Sequence, residues 1–257
     1  MNEKLAKKNQ SVVKALQVIE VLAESKGYMR LQDISRKLSL PPSTVLRFLN
    51  TLLTAGYVNQ DPETLKYSLS IKLCRIGELV RSQISIRDIA NPFIVHLSEK
   101  CRESSCLAIE EDMVVVYIDA VEGPDSMLKT LQRIGKVAPM HCTGVGKLML
   151  LNYDNIKIGK LIENKGLPAL TQNTITTKEK LLNELRIIKE QGYALDNEEC
   201  EIGARCIAAP VRDFTGKIIA CVSISGPTSR LSMERINEIK DYVLDAAAGI
   251  SKKMGNE

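Results

Sequence analysis

The chain has 257 residues, enough for one large or two modest domains at roughly 100–200 residues each. Hydrophobic residues make up 44% and charged residues 26%, which suits a globular chain with a real core and excludes a disordered one. The net charge is +4, but residues 1–72 hold 11 Lys/Arg against 6 Asp/Glu, whereas residues 73–257 hold 24 against 25. A basic N-terminal module on a near-neutral larger one points to a polyanionic partner for the first part. No apolar stretch approaches the ~18–20 residues a membrane span needs, so no membrane association is expected. Lys4, Lys7 and Lys8 precede an amphipathic segment rather than the unbroken apolar run of an export signal. Seven cysteines without dense spacing or a C-x-x-C fit a reducing cytoplasm.

Along the chain, Val12, Leu16, Ile19 and Leu22 recur at three- and four-residue steps, which predicts an amphipathic helix over 11–24 with Ser11 as its N-cap. Residues 31–38 form a second, short helix with Leu31, Ile34 and Leu38 on one side. Pro41-Pro42 marks a turn, with Pro42 near the first position of a third helix, where a missing N–H costs nothing. That helix runs to about Thr54, with Val45, Phe48, Leu49 and Leu52 facing inward and Ser43, Thr44, Arg47, Asn50 and Thr51 facing out. Residues 57–61 and 65–69 flank Pro62-Glu63-Thr64 as a β-hairpin. Helix, short helix, tight turn, helix and hairpin is the plan of a winged helix-turn-helix. The small, polar, partly basic face of the third helix suits a major groove, and Lys66 on the hairpin could reach a flanking phosphate.

Residues 70–84 read as a connecting helix whose seam of Leu73, Ile76, Val80 and Ile84 could pack on a second copy. Residues 86–101 are helical, with Pro92 a point of kinking or restart. Strands are predicted at 105–109, 114–121, 127–132, 193–196, 207–211 and 217–225. The acidic turn Glu110-Glu111-Asp112 joins the first two. Helices are predicted at 147–151, 156–164, 178–191 and 232–253. Strands in the middle with helices at both ends give an α+β sheet domain. The domain reading is 1–70 for the winged helix, 71–86 for the linker helix and 87–257 for a larger second domain.

Several segments then combine. The N-terminal helices with Leu40-Pro41-Pro42-Ser43-Thr44-Val45, the run Pro139-Met140-His141-Cys142-Thr143-Gly144-Val145-Gly146-Lys147, Gly192-Tyr193-Ala194-Leu195-Asp196-Asn197-Glu198-Glu199, Gly203, Cys206-Ile207-Ala208-Ala209-Pro210-Val211 and Ser223-Ile224-Ser225-Gly226-Pro227 occur in order. Together they resemble the IclR family of bacterial transcription regulators. The resemblance implies a winged helix, a dimerising linker helix and a GAF-like C-terminal domain that binds an effector, usually a small organic acid. It also implies homodimers or homotetramers on palindromic double-stranded DNA operators.

The resemblance places an effector pocket at Gly144, Val145, Asp196, Cys206, Ser223 and Ser225, with Met127 and Thr130 as its wall. Gly144 and Val145 would sit at a helix N-terminus with Thr143 as N-cap, where free N–H groups hold a carboxylate. Asp196, Cys206 and the two serines would serve oxo or hydroxyl groups. Thr130, more polar than a very small keto acid needs, tilts the effector toward a hydroxylated acid such as a sugar acid.

Three rival chemistries compete for the same residues. Gly144-Val145-Gly146-Lys147 resembles a clipped phosphate loop, but lacks the G-x-x-x-x-G-K-[ST] spacing. His141, Cys142, Cys200 and Cys206 could gather around zinc, though no paired ligand motif is present. His141 beside Cys142 does not by itself make a nucleophilic dyad. The expectation is therefore a non-enzymatic, cytoplasmic, ligand-controlled DNA-binding regulator with no cofactor, repression being its expected mode. The alternative is a thiol- or metal-dependent sensor, or a small-molecule enzyme, whose N-terminal module serves assembly.

Overall fold

The structure is a computed structural model that describes residues 9–25, 27–123 and 134–256. The chain divides into two compact units, Met1–Ile84 and Ser85–Glu257.

In the first unit, α1 (Gln10–Glu24), α2 (Leu31–Leu38) and α3 (Pro42–Thr54) pack around Val18, Leu22, Ile34, Val45, Phe48, Leu49 and Leu52. The cap of α1 is Asn9 rather than Ser11: its side-chain oxygen accepts the Ser11 and Val12 amides at 3.1 and 3.4 Å. The stripe of α1 is also rotated from the expected one. Val18 and Leu22, backed by Ala15 and Ile19, face the core, while Val12 and Leu16 stay 54% and 53% exposed. Both stripes have helical spacing, and only the partners α2 and α3 decide which is covered. Pro42 occupies the start of α3 as expected. The hairpin pairs β1 (Val58–Gln60) with β2 (Tyr67–Leu69) over three residues, shorter than the predicted runs. Asp61 shortens it, because its carboxylate collects the Glu63 and Thr64 amides into the turn. Tyr67 also bridges to Met29, which ties the α1–α2 connection to the wing. Helix α4 (Lys72–Arg81) buries no residue fully. Its Lys72 ammonium donates to Ala55 O at 2.7 Å and lies 4.2 Å from the Tyr57 ring centre.

Among the described residues of the second unit, six antiparallel strands run in the order β5-β4-β3-β8-β7-β6. They are β3 (Ser104–Glu111), β4 (Val114–Val121), β5 (Val137–Ala138), β6 (Ala194–Asn197), β7 (Ala204–Arg212) and β8 (Ile218–Pro227). The β3–β4 turn is only Asp112 and Met113, both with positive φ, so the acidic pair Glu110-Glu111 belongs to the strand. The strand predicted at 127–132 lies outside the described residues. Pro92 sits inside a continuous α5 (Ile86–Cys101), without a restart.

The sheet is two-faced. Leu107, Ile207, Ala209, Val211, Val222 and Ile224 pack against α5 and α9 (Met233–Lys253). The opposite face carries smaller side chains, Cys106, Ala108, Ala194, Ala208 and Cys221, under α6 (Gly144–Met149), α7 (Asn155–Lys165) and α8 (Lys178–Gln191). Helix α6 begins three residues before its predicted start and continues as a 3-10 turn at Leu150–Asn152. Its glycines explain the close seat: a Cβ on Gly144 would lie 3.2 Å from the Ala194 carbonyl oxygen on β6, and one on Gly146 2.4 Å from the Met140 Cα in the preceding loop.

Leu49, fully buried, and Val12, exposed on α1, give a direct contrast. Leu49→Ala should lower the stability of the first unit by about 2–5 kcal/mol, and Val12→Ala by less than about 0.5. Hydrogen exchange of the α1–α3 amides in rising denaturant measures both. Equal losses would show that the core is misplaced.

Candidate functional site

Helix α3 separates its residues cleanly. Val45, Phe48, Leu49 and Leu52 are buried on one side. Ser43, Leu46, Arg47, Asn50, Thr51 and Thr54 line a shallow concavity on the other. The Thr51 and Thr54 hydroxyls donate to the Arg47 and Asn50 carbonyls at 3.0 and 2.9 Å, which leaves them as acceptors toward any outside partner. The Arg47 guanidinium lies 5.5 Å from the Phe48 ring centre, and no carboxylate among the described residues pairs with it. Thr44 is half-buried, and its amide closes the first turn on Pro41 O. Lys66 is half-buried on the wing beside Asp61. The Thr64 amide and hydroxyl hold the Asp61 carboxyl below its usual value, and Lys66 adds to that pull. A cation sharing its field with a carboxylate attracts a phosphate less than a bare one would.

The six described pocket residues come together on the small-residue face of the sheet. Cys206 lies opposite Asp196 on one side and Ser225 on the other. Ser223 lies opposite Ala208 and Cys106, and its hydroxyl meets the Cys106 thiol at 2.9 Å. Gly144 rests on this floor, its Cβ direction pointing within 3.5 Å of the Asp196 amide. Thr143 caps α6 by accepting the Gly146 amide at 3.1 Å. The Gly144 and Val145 amides have no acceptor among the described residues. Met127 and Thr130 lie outside the described residues.

Asp196 differs from a free ligand-binding carboxylate. Its Oδ1 accepts the Glu199 amide at 2.8 Å and the Cys200 amide at 3.3 Å, so it also builds the turn that follows β6. Burial pushes its carboxyl up, and those two amides pull back only in part. Burial likewise pushes the Cys206 thiol up to about 12, so it is protonated at neutral pH.

The rival chemistries fare differently once placed. Lys147 Nζ is 1% exposed and binds Glu199 Oε1 at 2.6 Å and Glu184 Oε1 at 2.9 Å, so it is committed to carboxylates rather than to a phosphate. His141 Nε2 faces Pro168 O at 3.1 Å, while Cys142 Sγ faces Cys200 Sγ at 3.3 Å, so thiol and imidazole do not pair. Among the described residues, no group of three His, Cys, Asp or Glu side chains could hold a metal ion. Among them also, no helix is long and apolar enough to cross a membrane.

The buried Lys147 triad was not anticipated from the sequence. Its signal was a lysine embedded in an apolar run, Lys147-Leu148-Met149-Leu150, a pattern that requires a buried partner. Burial opposes the ammonium's charge, but Glu199 and Glu184 outweigh it and raise the Lys147 pKa above the ordinary 10.5. Glu199 Oε2 remains buried, with no partner among the described residues. Lys147→Met should therefore destabilise the second unit by about 3–5 kcal/mol in urea unfolding at neutral pH, because it strands a buried carboxylate. A group with a raised folded pKa stabilises fully below its unfolded value, so the wild type's advantage should shrink as pH climbs above 10.5, and again in acid as Glu199, whose carboxyl burial pushes up, takes a proton and is no longer a stranded charge. A loss under about 1 kcal/mol would contradict the buried-pair account.

Comparison with known proteins agrees with this division of the chain. Residues 11–62 match the IclR helix-turn-helix domain, and residues 79–252 match the bacterial transcriptional regulator IclR C-terminal domain. The chain is 37% identical over 247 residues to the HTH-type transcriptional regulator KdgR of Escherichia coli, covering 95% of this chain and 92% of that one. It is 33% identical to the E. coli HTH-type transcriptional regulator XynR, covering 96% and 97%. Among solved structures, the Thermotoga maritima IclR aligns with a TM-score of 0.62 at 31% identity, covering 95% and 98%. The Agobacterium tumefaciens repressor BlcR shares the fold with a TM-score of 0.74 at 22% identity, covering 96% and 98%. With both family domains matched over most of its length, the chain belongs to the IclR family of DNA-binding transcriptional regulators.

Proposed function

We propose that the chain is a repressor that works as a homodimer or homotetramer in the cytoplasm and performs no catalysis of its own. Residues 1–70 bind the operator, residues 71–86 link and dimerise, and residues 87–257 sense a small carboxylate. Ser43, Thr44, Arg47, Asn50 and Thr51 face the major groove, and Lys66 lies toward a flanking phosphate. One observation carries the DNA reading: α3 is anchored by four buried apolar side chains and presents on its open side a guanidinium with no carboxylate partner among the described residues. An anchored helix of this kind positions hydrogen-bond donors rigidly against base edges.

In the second unit, the effector's carboxylate rests on the Gly144 and Val145 amides. Its hydroxyl or oxo groups meet Ser223, Ser225, Cys206 and Asp196. A hydroxylated acid suits this floor, because the hydroxyl and thiol groups both donate and accept. Binding shifts the equilibrium between DNA-competent and DNA-free arrangements. The coupling equals the effector's differential affinity for the two, typically ~1–3 kcal/mol.

Selection from randomised duplexes, followed by a salt titration, tests the reading. The enriched site should be palindromic, with half-sites separated by whole helical turns. Affinity should fall by about 10³–10⁵ between about 50 and 200 mM salt if six to ten phosphates are neutralised. Arg47→Ala should weaken binding by about 1–3 kcal/mol and relax selectivity at one base pair. No enrichment and no salt dependence would favour an N-terminal unit that serves assembly alone.

A further inference from the structure

We infer, resting on the DNA-binding reading above, that Leu46 is a base-reading residue that packs on the 5-methyl group of a thymine in the major groove. Leu46 lies on the open side of α3 and is 38% exposed. Its neighbours Val45, Phe48 and Leu49 belong to the apolar cluster of the first unit, and Leu46 does not. It stands one turn from Ser43 and from Asn50 and lines the same concavity as both.

The surroundings of Leu46 select the partner. A protein partner is met by apolar side chains in groups, as Val12 and Leu16 lie one turn apart on α1. Leu46 instead is a single large apolar side chain among Ser43, Arg47 and Asn50, with the small Ala55 the other apolar residue of the concavity. The major-groove edge of an A·T pair has the matching mixture. Thymine presents a methyl group beside its O4 acceptor, and adenine presents the N6 donor and N7 acceptor that an asparagine amide engages in two hydrogen bonds. Asn50 side-chain atoms make no hydrogen bond within the described residues, so its amide is available for that adenine. Cytosine at the same place would leave the isobutyl group of Leu46 against a polar N4 amine with no methyl to cover. Leu46 thereby discriminates by what it buries, whereas Arg47 and Asn50 discriminate by hydrogen bonds.

The test removes the methyl group from the DNA, so that protein folding cannot confuse the result. A duplex is selected with the full-length wild-type chain, and each thymine is then replaced singly by deoxyuridine. Removing one buried methyl corresponds to about a three- to tenfold loss of affinity. We expect that loss at one thymine per half-site for the wild type. We expect no loss at that position for Leu46→Ala, which should bind the thymine duplex about as the wild type binds the deoxyuridine one. Arg47→Ala should keep the methyl sensitivity while losing affinity overall. If no thymine distinguishes the wild type from Leu46→Ala, the Leu46 assignment is overturned although the DNA-binding reading survives. If selection enriches no duplex, that reading fails first, and the Leu46 assignment with it.

Discussion

The functional architecture of the first unit depends on one constraint: four side chains of α3, Val45, Phe48, Leu49 and Leu52, must be buried together. A 13-residue helix is marginal alone in water, so its persistence comes from this tertiary anchor rather than from propensity. At ~1.5–3 kcal/mol for each fully buried apolar side chain, the anchor outweighs the propensity differences along the helix. At 3.6 residues per turn, burying those four dictates what the other side shows. Ser43, Leu46, Arg47 and Asn50 are displayed because they alternate with the anchor residues. The short hairpin adds to this frame, since Tyr67 is buried in the same cluster and bridges back to Met29. A rigidly held polar face loses little conformational entropy when it meets a partner.

The second unit solves a different problem with the same sheet. Its outer face is filled by large branched side chains against two long helices, the arrangement of an ordinary core. Its inner face carries alanine, cysteine and serine, which bring α6 down onto β6 and β7 and leave polar groups at the floor. Polar groups in such a place must be satisfied, and most are satisfied internally: Cys106 with Ser223, Asp196 with two amides, Lys147 with two glutamates. The Lys147 cluster joins α6, α8 and the turn after β6 through charges removed from water. Such pairs contribute little net stability but penalise any arrangement that separates them. A ligand placed as proposed, at Gly144 and Asp196, would act on elements already coupled to each other.

Much of the fold was legible because it is written in local patterns. Helices α2, α3, α5 and α8 were located to within a residue, since their apolar periodicity is strong and breakers such as Pro41-Pro42 and Gly192 bound it. The phase of α1 was not legible, because two apolar stripes with the same spacing compete and only the positions of α2 and α3 choose between them. The cap moved from Ser11 to Asn9 because either side chain can accept an amide, and the choice depends on where the chain enters the helix. Within the candidate site, the grouping of Gly144, Asp196, Cys206, Ser223 and Ser225 followed from family resemblance, not from spacing. Their strands are brought together by register across β6, β7 and β8, a long-range property. Lys147 escaped notice for the related reason that its partners, Glu184 and Glu199, lie 37 and 52 residues away.

The central claim is that the open face of α3 is the surface that meets duplex DNA. Side-chain labelling by hydroxyl radicals, read by mass spectrometry with and without bound duplex, tests it most directly. Protection concentrated on the residues from Ser43 to Thr54, with the buried side of α3 unchanged, is the result expected. Protection confined to the unit Ser85–Glu257, with Leu46 and its neighbours equally reactive in both states, would contradict it.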